Sequence, residues 1–197
     1  MEKHKCGWCL GDPLYETYHD TEWGVPVLDD AQLFEFLILE TFQAGLSWIT
    51  ILRKRENFRK AFDDFDYRKI AEYEEPKIAE LMQDSGIIRN QLKIRSTVTN
   101  ARNFIKIQED FGNFSTYIWS FVNGIPIQNK VDNYKKAPAT TALSDNLSKD
   151  LKKRGFKFVG STVMYAHMQA TGMVNDHEIS CFRYKEVKKM GEKIQSV

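Results

Sequence analysis

Residues 33–52 form the most apolar run of the chain, and one carboxylate, Glu40, stands on its apolar face. Leu33, Phe36 and Leu37 precede Glu40 by seven, four and three positions, so in a helix they share its side. A buried carboxylate without a partner is costly, because desolvation disfavours its charged form. We therefore expect Glu40 to bind a ligand or, as a structural acid, to pair with an arginine or reach solvent at a helix end.

The sequence just beyond Glu40 predicts a helix break beside the acid. Ala44 and Gly45 end the first helix, and Ser47 can cap a second one. Leu46 and Trp48 are then presented at the break. An acid, an aliphatic side chain and an indole thus lie close together.

Four aromatic side chains crowd into the sixteen residues from Trp8 to Trp23, with Tyr15 and Tyr18 between them. Such clusters more often belong to a core or a wall than to a binding site. Exposed aromatic faces are also surfaces on which unstacked nucleic-acid bases lie. The cluster alone leaves both interpretations open.

Cysteines and histidines at the two ends of the chain indicate a metal site. His177 and Cys181 are four positions apart, so on a helix begun just before them they point the same way. Cys6 and His19 could complete a Cys2His2 tetrahedron, which would leave no open position and make the ion structural. Cys9 forms a CxxC pair with Cys6 and allows other ligand sets, whereas a redox pair is disfavoured without a βαβ context.

Residues 81–95 have the pattern of a helix-hairpin-helix. An apolar helix ends before Gly86, a short turn follows, and a basic helix starts near Asn90. Such a turn presents backbone N–H groups to a phosphate, and Arg89 and Lys93 are candidate cations beside it, so we expect these residues and Gly86 to contact a phosphate, such as one of a nucleic-acid backbone. Many helix pairs are joined by glycine, and a basic run is usually a solvated face.

Composition is that of an ordinary globular protein. The 197 residues are 42% hydrophobic and 28% charged, enough for one core or for two lobes around a crevice. No apolar run is long enough to span a bilayer and the start lacks a signal peptide, so the expected location is the cytoplasm. Three cysteines favour thiols or metal ligation, and a net charge of +1 does not itself indicate nucleic acid. Because almost nothing alternates with period two, the predicted fold class is all-α.

Dispersed motifs along residues 6–181 resemble one known family. In order they are CGW at 6–8, DPLYxxYHDxEWGVP at 12–26, QAGLSWITIL at 43–52, GIIRN at 86–90, WSFVNG at 119–124, LSKDLKKRGFKFVG at 147–160 and QATGMVNDHxxxC at 169–181. Together they are similar to the 3-methyladenine DNA glycosylase I family, bacterial monofunctional repair enzymes. The resemblance implies a helix-hairpin-helix glycosylase fold with one structural zinc ion.

The resemblance also implies roles for individual residues. The family's base-contacting acid falls on Glu40, and a cationic purine is expected to stack between Trp48 and Tyr18. The other implied roles are pocket lining by Trp8, Tyr15 and Trp23, probing of the duplex by Gln43, Gly45 and Leu46, and zinc binding by Cys6, His19, His177 and Cys181. Cys9 departs from the family pattern and stays a competing ligand.

The implied reaction is hydrolysis of the N-glycosidic bond of 3-methyladenine, with base flipping. Methylation at N3 leaves adenine cationic, and a buried Glu40 would favour that cation over neutral adenine. We assign no second acid to the sugar and find no lysine placed as a nucleophile, so we expect an abasic site without strand cleavage. The expected partner is double-stranded alkylated DNA, with free 3-methyladenine as product.

We expect residues 1–197 to form one compact, monomeric unit. Its two lobes would be 1–30 plus 165–197 around the zinc ion, and 31–164 as the helical body with the hairpin. Two other functions stay open. A non-catalytic, zinc-stapled helical module could bind DNA without an acid in an aromatic pocket, and a small-molecule zinc hydrolase would require only three protein ligands.

Overall fold

The computed structural model describes residues 3–194 and is mainly helical. This agrees with the predicted all-α class, and the strands of the described residues are limited to one two-residue parallel pair, β1 (Ile127–Gln128) with β2 (Val174–Asn175). No helix in this range combines the length and apolarity needed to cross a membrane. The helices are α1 Pro13–Thr21, α2 Asp30–Gln43, α3 Trp48–Ala61, α4 Tyr67–Ala71, α5 Glu75–Gln83, α6 Gln91–Phe111, α7 Phe114–Ser120, α8 Ala142–Lys153, α9 Ser161–Ala170 and α10 Phe182–Ile194.

Helix α2 ends where its sequence predicts, and Asp29 caps its start. The Asp29 carboxylate accepts a hydrogen bond from a backbone amide of the first turn at 2.9 Å, which satisfies one of the free N–H groups there. Gly45, just past the end of α2, has a φ of +84°, which glycine adopts without strain. Ser47 precedes α3 with extended backbone, but its hydroxyl contacts the Thr50 hydroxyl at 2.7 Å and caps no backbone amide.

Helix α2 is also the centre of the fold. It packs against α3, α6, α7 and α9. Leu33, Phe34, Leu37 and Ile38 are fully buried in these contacts. Burial of each such side chain stabilises the fold by about 1.5–3 kcal/mol. The burial of these apolar neighbours therefore compensates for the cost of burying Glu40 on the same face of α2.

Helices α5 and α6 are joined by a short turn, as the hairpin pattern predicts. Helix α6 begins after Asn90, whose side-chain oxygen accepts a hydrogen bond from a first-turn amide at 3.1 Å. Ile87 is buried in the turn, whereas Arg89 is exposed. The turn is therefore anchored at one side and open to solvent at the other.

The two ends of the chain meet beside the short strands. The Phe182 amide donates to the His4 carbonyl oxygen at 3.0 Å, and the Val27 amide donates to the Thr171 carbonyl oxygen at 3.0 Å. This arrangement agrees with the prediction that segments near the two ends of the chain contact each other. The division into two lobes stays a prediction. Residues 1–2 and 195–197 of the predicted unit lie outside the described residues.

Candidate active site and metal centre

A pocket of about 310 Å³ opens where the N-terminal aromatic segment meets the end of α2 and the start of α3. Cavities of this size accommodate small molecules. Its walls include all five aromatic residues singled out from the sequence, namely Trp8, Tyr15, Tyr18, Trp23 and Trp48. The structure thus brings the aromatic cluster and the helix break to one cavity.

Glu40 lines this pocket and is 3% exposed. Its Oε2 atom has no hydrogen-bond partner among the described residues. No arginine is among the described residues that line this pocket, and Arg55, from α3, donates to Glu35 and Glu22 at 2.6 Å each. Burial raises the pKa of Glu40 to about 8, so its carboxyl is mostly protonated at neutral pH. The structural alternative, a pairing of Glu40 with an arginine, is therefore excluded.

Tyr18 and Trp48 form adjoining walls of the pocket. Their ring centroids are 5.6 Å apart and the planes are inclined by 49°. A base held between two parallel rings needs about 7 Å, twice the stacking distance of about 3.4 Å. The predicted sandwich is thus not preformed, and a base must lie against these walls or part the rings. Burial raises the pKa of Tyr18 well above its usual range, which keeps its phenol neutral.

The segment 124–141 contributes a wall that the sequence did not predict. Tyr134 lines the pocket from this segment. Its amide donates to the Glu178 carboxylate at 2.9 Å, and its ring packs so closely on Gly7 that a Cβ there would lie 2.8 Å from it. The sequence feature that could have indicated this role is the presence of an aromatic residue, Tyr134, within a polar, proline-containing loop.

Gln169 and Asp176 also line the pocket and were missed. Both belong to the QATGMVNDH motif, of which only His177 received a role. They reach the cavity from α9 and from the residue after β2. Only long-range packing shows this, because nothing in the local pattern separates them from surface polar residues.

The turn after α2 exposes the side chain predicted to probe the duplex. Leu46 is 40% exposed, and Gly45 is exposed beside it. The Leu46 amide donates to the Gln43 carbonyl oxygen at 2.7 Å, and the Gln43 side chain donates to the Leu46 carbonyl oxygen at 3.2 Å. The turn is therefore closed on itself and presents an apolar tip.

Lys93 does not have the surface position predicted for a DNA contact. It is 6% exposed, and its Nζ donates to the carbonyl oxygens of Phe42 at 2.8 Å and Ala44 at 2.7 Å. Burial lowers the pKa of its ammonium group. A cation is favourable at a helix C-terminus, so Lys93 holds the end of α2, and we withdraw it as a phosphate contact.

The hairpin turn retains part of its predicted anion-binding character. The Gly86 amide is already occupied, because it donates to the Asp84 carboxylate at 2.7 Å, and the Gly86 carbonyl oxygen accepts from Lys54 at 3.1 Å. Among the described residues, the amides of Ile88 and Arg89 donate to no protein acceptor. These two amides and the exposed Arg89 side chain, in place of Gly86, are available to a phosphate.

Four buried side chains from both ends of the chain form one cluster, Cys6, His19, His177 and Cys181. Their ligand atoms all lie within 4.8 Å of one another, and three sulfur–nitrogen distances are 3.4, 3.6 and 3.8 Å. Metal–sulfur bonds of about 2.3 Å and metal–nitrogen bonds of about 2.0 Å at tetrahedral angles separate sulfur from nitrogen by about 3.5 Å. The cluster therefore fits a four-coordinate metal ion.

Each imidazole is oriented by a hydrogen bond that its outer ring nitrogen donates to an oxygen acceptor. His19 Nδ1 lies 2.8 Å from the Asp20 carboxylate, and His177 Nε2 lies 3.0 Å from the Trp23 carbonyl oxygen. Each histidine thus directs its other ring nitrogen at the cluster. Histidines that bind metal ions are commonly oriented in this way, by a hydrogen bond from the nitrogen that does not bind the metal. Cys9 lies outside the cluster, and its Sγ donates to the Cys6 carbonyl oxygen at 3.1 Å.

The predicted helix that would carry His177 and Cys181 is wrong. The residues after β2 form turns, and α10 begins only at Phe182. A compact turn brings side chains four positions apart together as a helix does, which explains why the pairing was predicted on the wrong element. The Glu178 amide, inside that turn, donates to Cys6 Sγ at 3.3 Å.

Comparisons with known proteins agree with this geometry. A model of the methyladenine glycosylase family matches residues 8–184. The chain is 49% identical over 180 residues to DNA-3-methyladenine glycosylase 1 of Escherichia coli (strain K12), covering 91% of this chain and 96% of that protein. It is 48% identical over 177 residues to DNA-3-methyladenine glycosylase of Haemophilus influenzae, covering 90% and 96%. The structure of 3-methyladenine DNA glycosylase I from Staphylococcus aureus, 36% identical, matches with a TM-score of 0.88 over 90% of this chain and 95% of that one. The chain belongs to the methyladenine glycosylase family.

Proposed function

We propose that this protein removes 3-methyladenine from alkylated double-stranded DNA by hydrolysing its N-glycosidic bond. The names of its relatives point to this lesion. The observation that carries the proposal is the position of Glu40, a buried carboxyl without a partner for Oε2 in an aromatic pocket. A DNA-binding module without catalytic activity has no need for such a group.

The chemistry of the lesion explains what the pocket must supply. A cationic base leaves with the electron pair of the glycosidic bond and becomes neutral, so little acid catalysis is required. The protein must instead extrude the nucleotide and prefer the lesion over normal bases. A bound cation makes ionisation of Glu40 favourable, whereas neutral adenine leaves that charge uncompensated. Selection of the lesion follows from this difference.

The exposed turn at 43–46 is suited to fill the space that a flipped nucleotide leaves in the base stack of the duplex. Apolar side chains inserted between base steps replace lost stacking, and Leu46 has the size and exposure for this role. Gln43 and Gly45 flank it at the surface. Phosphate contacts fall to Arg89 and to the free amides of the hairpin turn.

Zinc is the ion that the cysteine–histidine cluster suits best. Two thiolates and two imidazoles in a closed tetrahedron are typical of structural zinc. Bound there, zinc supplies no catalysis and joins residues 6–19 to residues 177–181. Four protein ligands also disfavour the alternative of a zinc hydrolase, which requires an open metal position.

Hydrolysis without strand cleavage is supported by the composition of the pocket wall. No lysine is among the described residues that line it. Lys93, buried beneath the end of α2, is occupied by two carbonyl oxygens. Within the part of the chain that the structure describes, no lysine amine is therefore in place to attack the sugar and form the imine on which strand cleavage depends.

The test is release of free base from methylated duplex DNA, measured by chromatography. Wild type should release 3-methyladenine, and Glu40→Gln should release it more than tenfold more slowly. Glu109→Gln, the same change at an exposed position of α6, should behave as wild type. Binding of alkylated DNA without any release of base would instead support a non-catalytic module and refute the proposed function.

A further inference from the structure

Tyr18 borders two cavities. Besides the aromatic pocket, a second cavity of about 550 Å³ lies along α1, α2 and α3, and within the described chain Tyr18 is the one residue that lines both. Leu14, Thr21 and Glu22 also line the second cavity. They lie three or four positions from Tyr18, so they share its face of α1. The second cavity therefore extends along the side of α1 from which the Tyr18 ring projects.

The Tyr18 ring is not tethered by its hydroxyl. Among the described residues, the hydroxyls of Tyr73, Tyr117 and Tyr165 each donate to an aspartate, whereas that of Tyr18 has no hydrogen-bond partner. Trp48, the adjoining wall of the pocket, lines the first cavity and not the second. Of these two walls, Tyr18 is thus the one with space beside it.

The gap between the two walls is too narrow for a flat base. Their ring centroids are 5.6 Å apart, so a stack of about 7 Å requires one ring to move by roughly 1.4 Å and to tilt. In a close-packed interior such a shift is costly unless space is available. The second cavity provides this space for Tyr18. Its apolar lining residues, which suit an aromatic ring, are Leu14, Val25, Val27, Phe36 and Leu52.

We infer that Tyr18 is a movable wall of the pocket, an inference that rests on the proposed function. A flipped purine enters beside Trp48 and displaces the Tyr18 ring toward the second cavity, until the two rings lie on either side of the base. The second cavity is then an expansion space. Its lining residues are positioning residues, because they act through Tyr18 to set how readily the pocket admits a base.

Crystal structures of the wild-type protein with and without 3-methyladenine measure this movement. The ring centroids of Tyr18 and Trp48 should separate from 5.6 Å in the free protein to about 7 Å in the complex. The Tyr18 ring should account for the change, while Trp48 keeps its position. A complex in which Tyr18 stays in place, or in which Trp48 moves instead, overturns the inference.

Filling the second cavity should hinder the same movement in solution. Thr21 is exposed and lines this cavity, so Thr21→Phe adds a ring there without a change in the core. Calorimetric affinity for free 3-methyladenine should fall by about tenfold or more, because a displaced Tyr18 ring would overpack the filled space. The melting temperature should not fall. Thr116→Phe makes the same change at an exposed position of α7 and should bind as wild type does.

A smaller side chain at position 18 separates this effect from a general distortion of the pocket. Tyr18→Val leaves room for the base without any displacement, although it weakens stacking. In this background Thr21→Phe should change the affinity for 3-methyladenine by less than about twofold, as expected for independent sites. An equal loss in both backgrounds would show a structural effect and overturn the inference, as would wild-type affinity in Thr21→Phe.

The outcomes distinguish this inference from the proposed function. The tests of Tyr18 use free 3-methyladenine and ring positions, and a negative result leaves base release by the wild-type protein unaffected. The proposed function fails separately, if wild type releases no 3-methyladenine from methylated duplex DNA.

Discussion

Replacement of Glu40 by glutamine should stabilise the protein at neutral pH while it weakens base release. In an unfolded chain this carboxyl titrates near 4.5, whereas burial raises its pKa in the folded protein to about 8. Between these values the unfolded state loses its proton and the folded state retains it. Relative to pH values below 4.5, the Glu40 carboxyl therefore lowers the free energy of unfolding progressively as the pH rises toward 8.

The size of this effect follows from the two pKa values. At pH 7 the wild-type protein should lose about 3 kcal/mol, because the pH lies 2.5 units above the unfolded value of 4.5 and each unit corresponds to about 1.4 kcal/mol. At pH 5 the same calculation gives a loss of stability of about 0.8 kcal/mol. Glutamine does not titrate, so the advantage of Glu40→Gln over wild type should grow by about 2.5 kcal/mol from pH 5 to pH 7.

Urea unfolding of both proteins at pH 5, 6 and 7 measures this difference. The cysteine–histidine cluster titrates identically in the two proteins and cancels in the comparison. Glu109→Gln, at an exposed position, should show no such trend. A stability difference that stays constant with pH, or that shrinks as the pH rises, would refute the argument that Glu40 is buried without compensation.

Three other changes should have defined effects. Burial lowers the pKa of His167 to about 3, and neither ring nitrogen has a partner among the described residues, so stability is lost as the pH falls below about 6.5. Wild type should lose about 2 kcal/mol from this group between pH 7.5 and pH 5, and urea unfolding of His167→Leu should show a correspondingly smaller loss. Lys93→Met should leave the carbonyl oxygens at the end of α2 without their cation and so raise the KM for alkylated duplex. The affinity for free 3-methyladenine, measured by calorimetry, should stay near the wild-type value. Equal losses in both measurements would contradict a role of Lys93 that is confined to the turn at 43–46. Cys181→Ser should abolish bound zinc, measured by atomic emission, whereas Cys9→Ser should retain it, and the reverse result would show that the ligand set is wrong.

Local patterns predicted the elements around the site well. Spacing and turn-forming residues indicated α2, its end before Gly45, the start of α3 after Ser47 and the hairpin turn, although the Ser47 hydroxyl caps no backbone amide. These features depend on interactions within a few residues, such as the N-cap at Asp29. The burial of Glu40 was predictable for the same reason, since its neighbours at helical spacing are apolar.

Features that depend on packing between distant segments were not predictable. Lys93 lies in a basic run that is typical of a solvated face, yet contact between α6 and the end of α2 buries it. Asp176 has no local mark of a pocket residue, and three donors from 129, 165 and 169 reveal its surroundings. The ring inclination between Tyr18 and Trp48 likewise follows from how α1 packs against α3.

We expect Glu40 to become charged only when a cationic purine binds in the pocket. Proton release on binding measures this directly, by calorimetry at pH 7 in buffers of different ionisation enthalpy. The probe is a duplex with 3-methyladenine on a 2′-fluorinated sugar, which slows loss of the base. Wild type should release about 0.9 proton per complex, the fraction of Glu40 protonated at pH 7 for a pKa of about 8. Glu40→Gln should release none; binding without proton release in wild type, or equal release in both proteins, would contradict the claim.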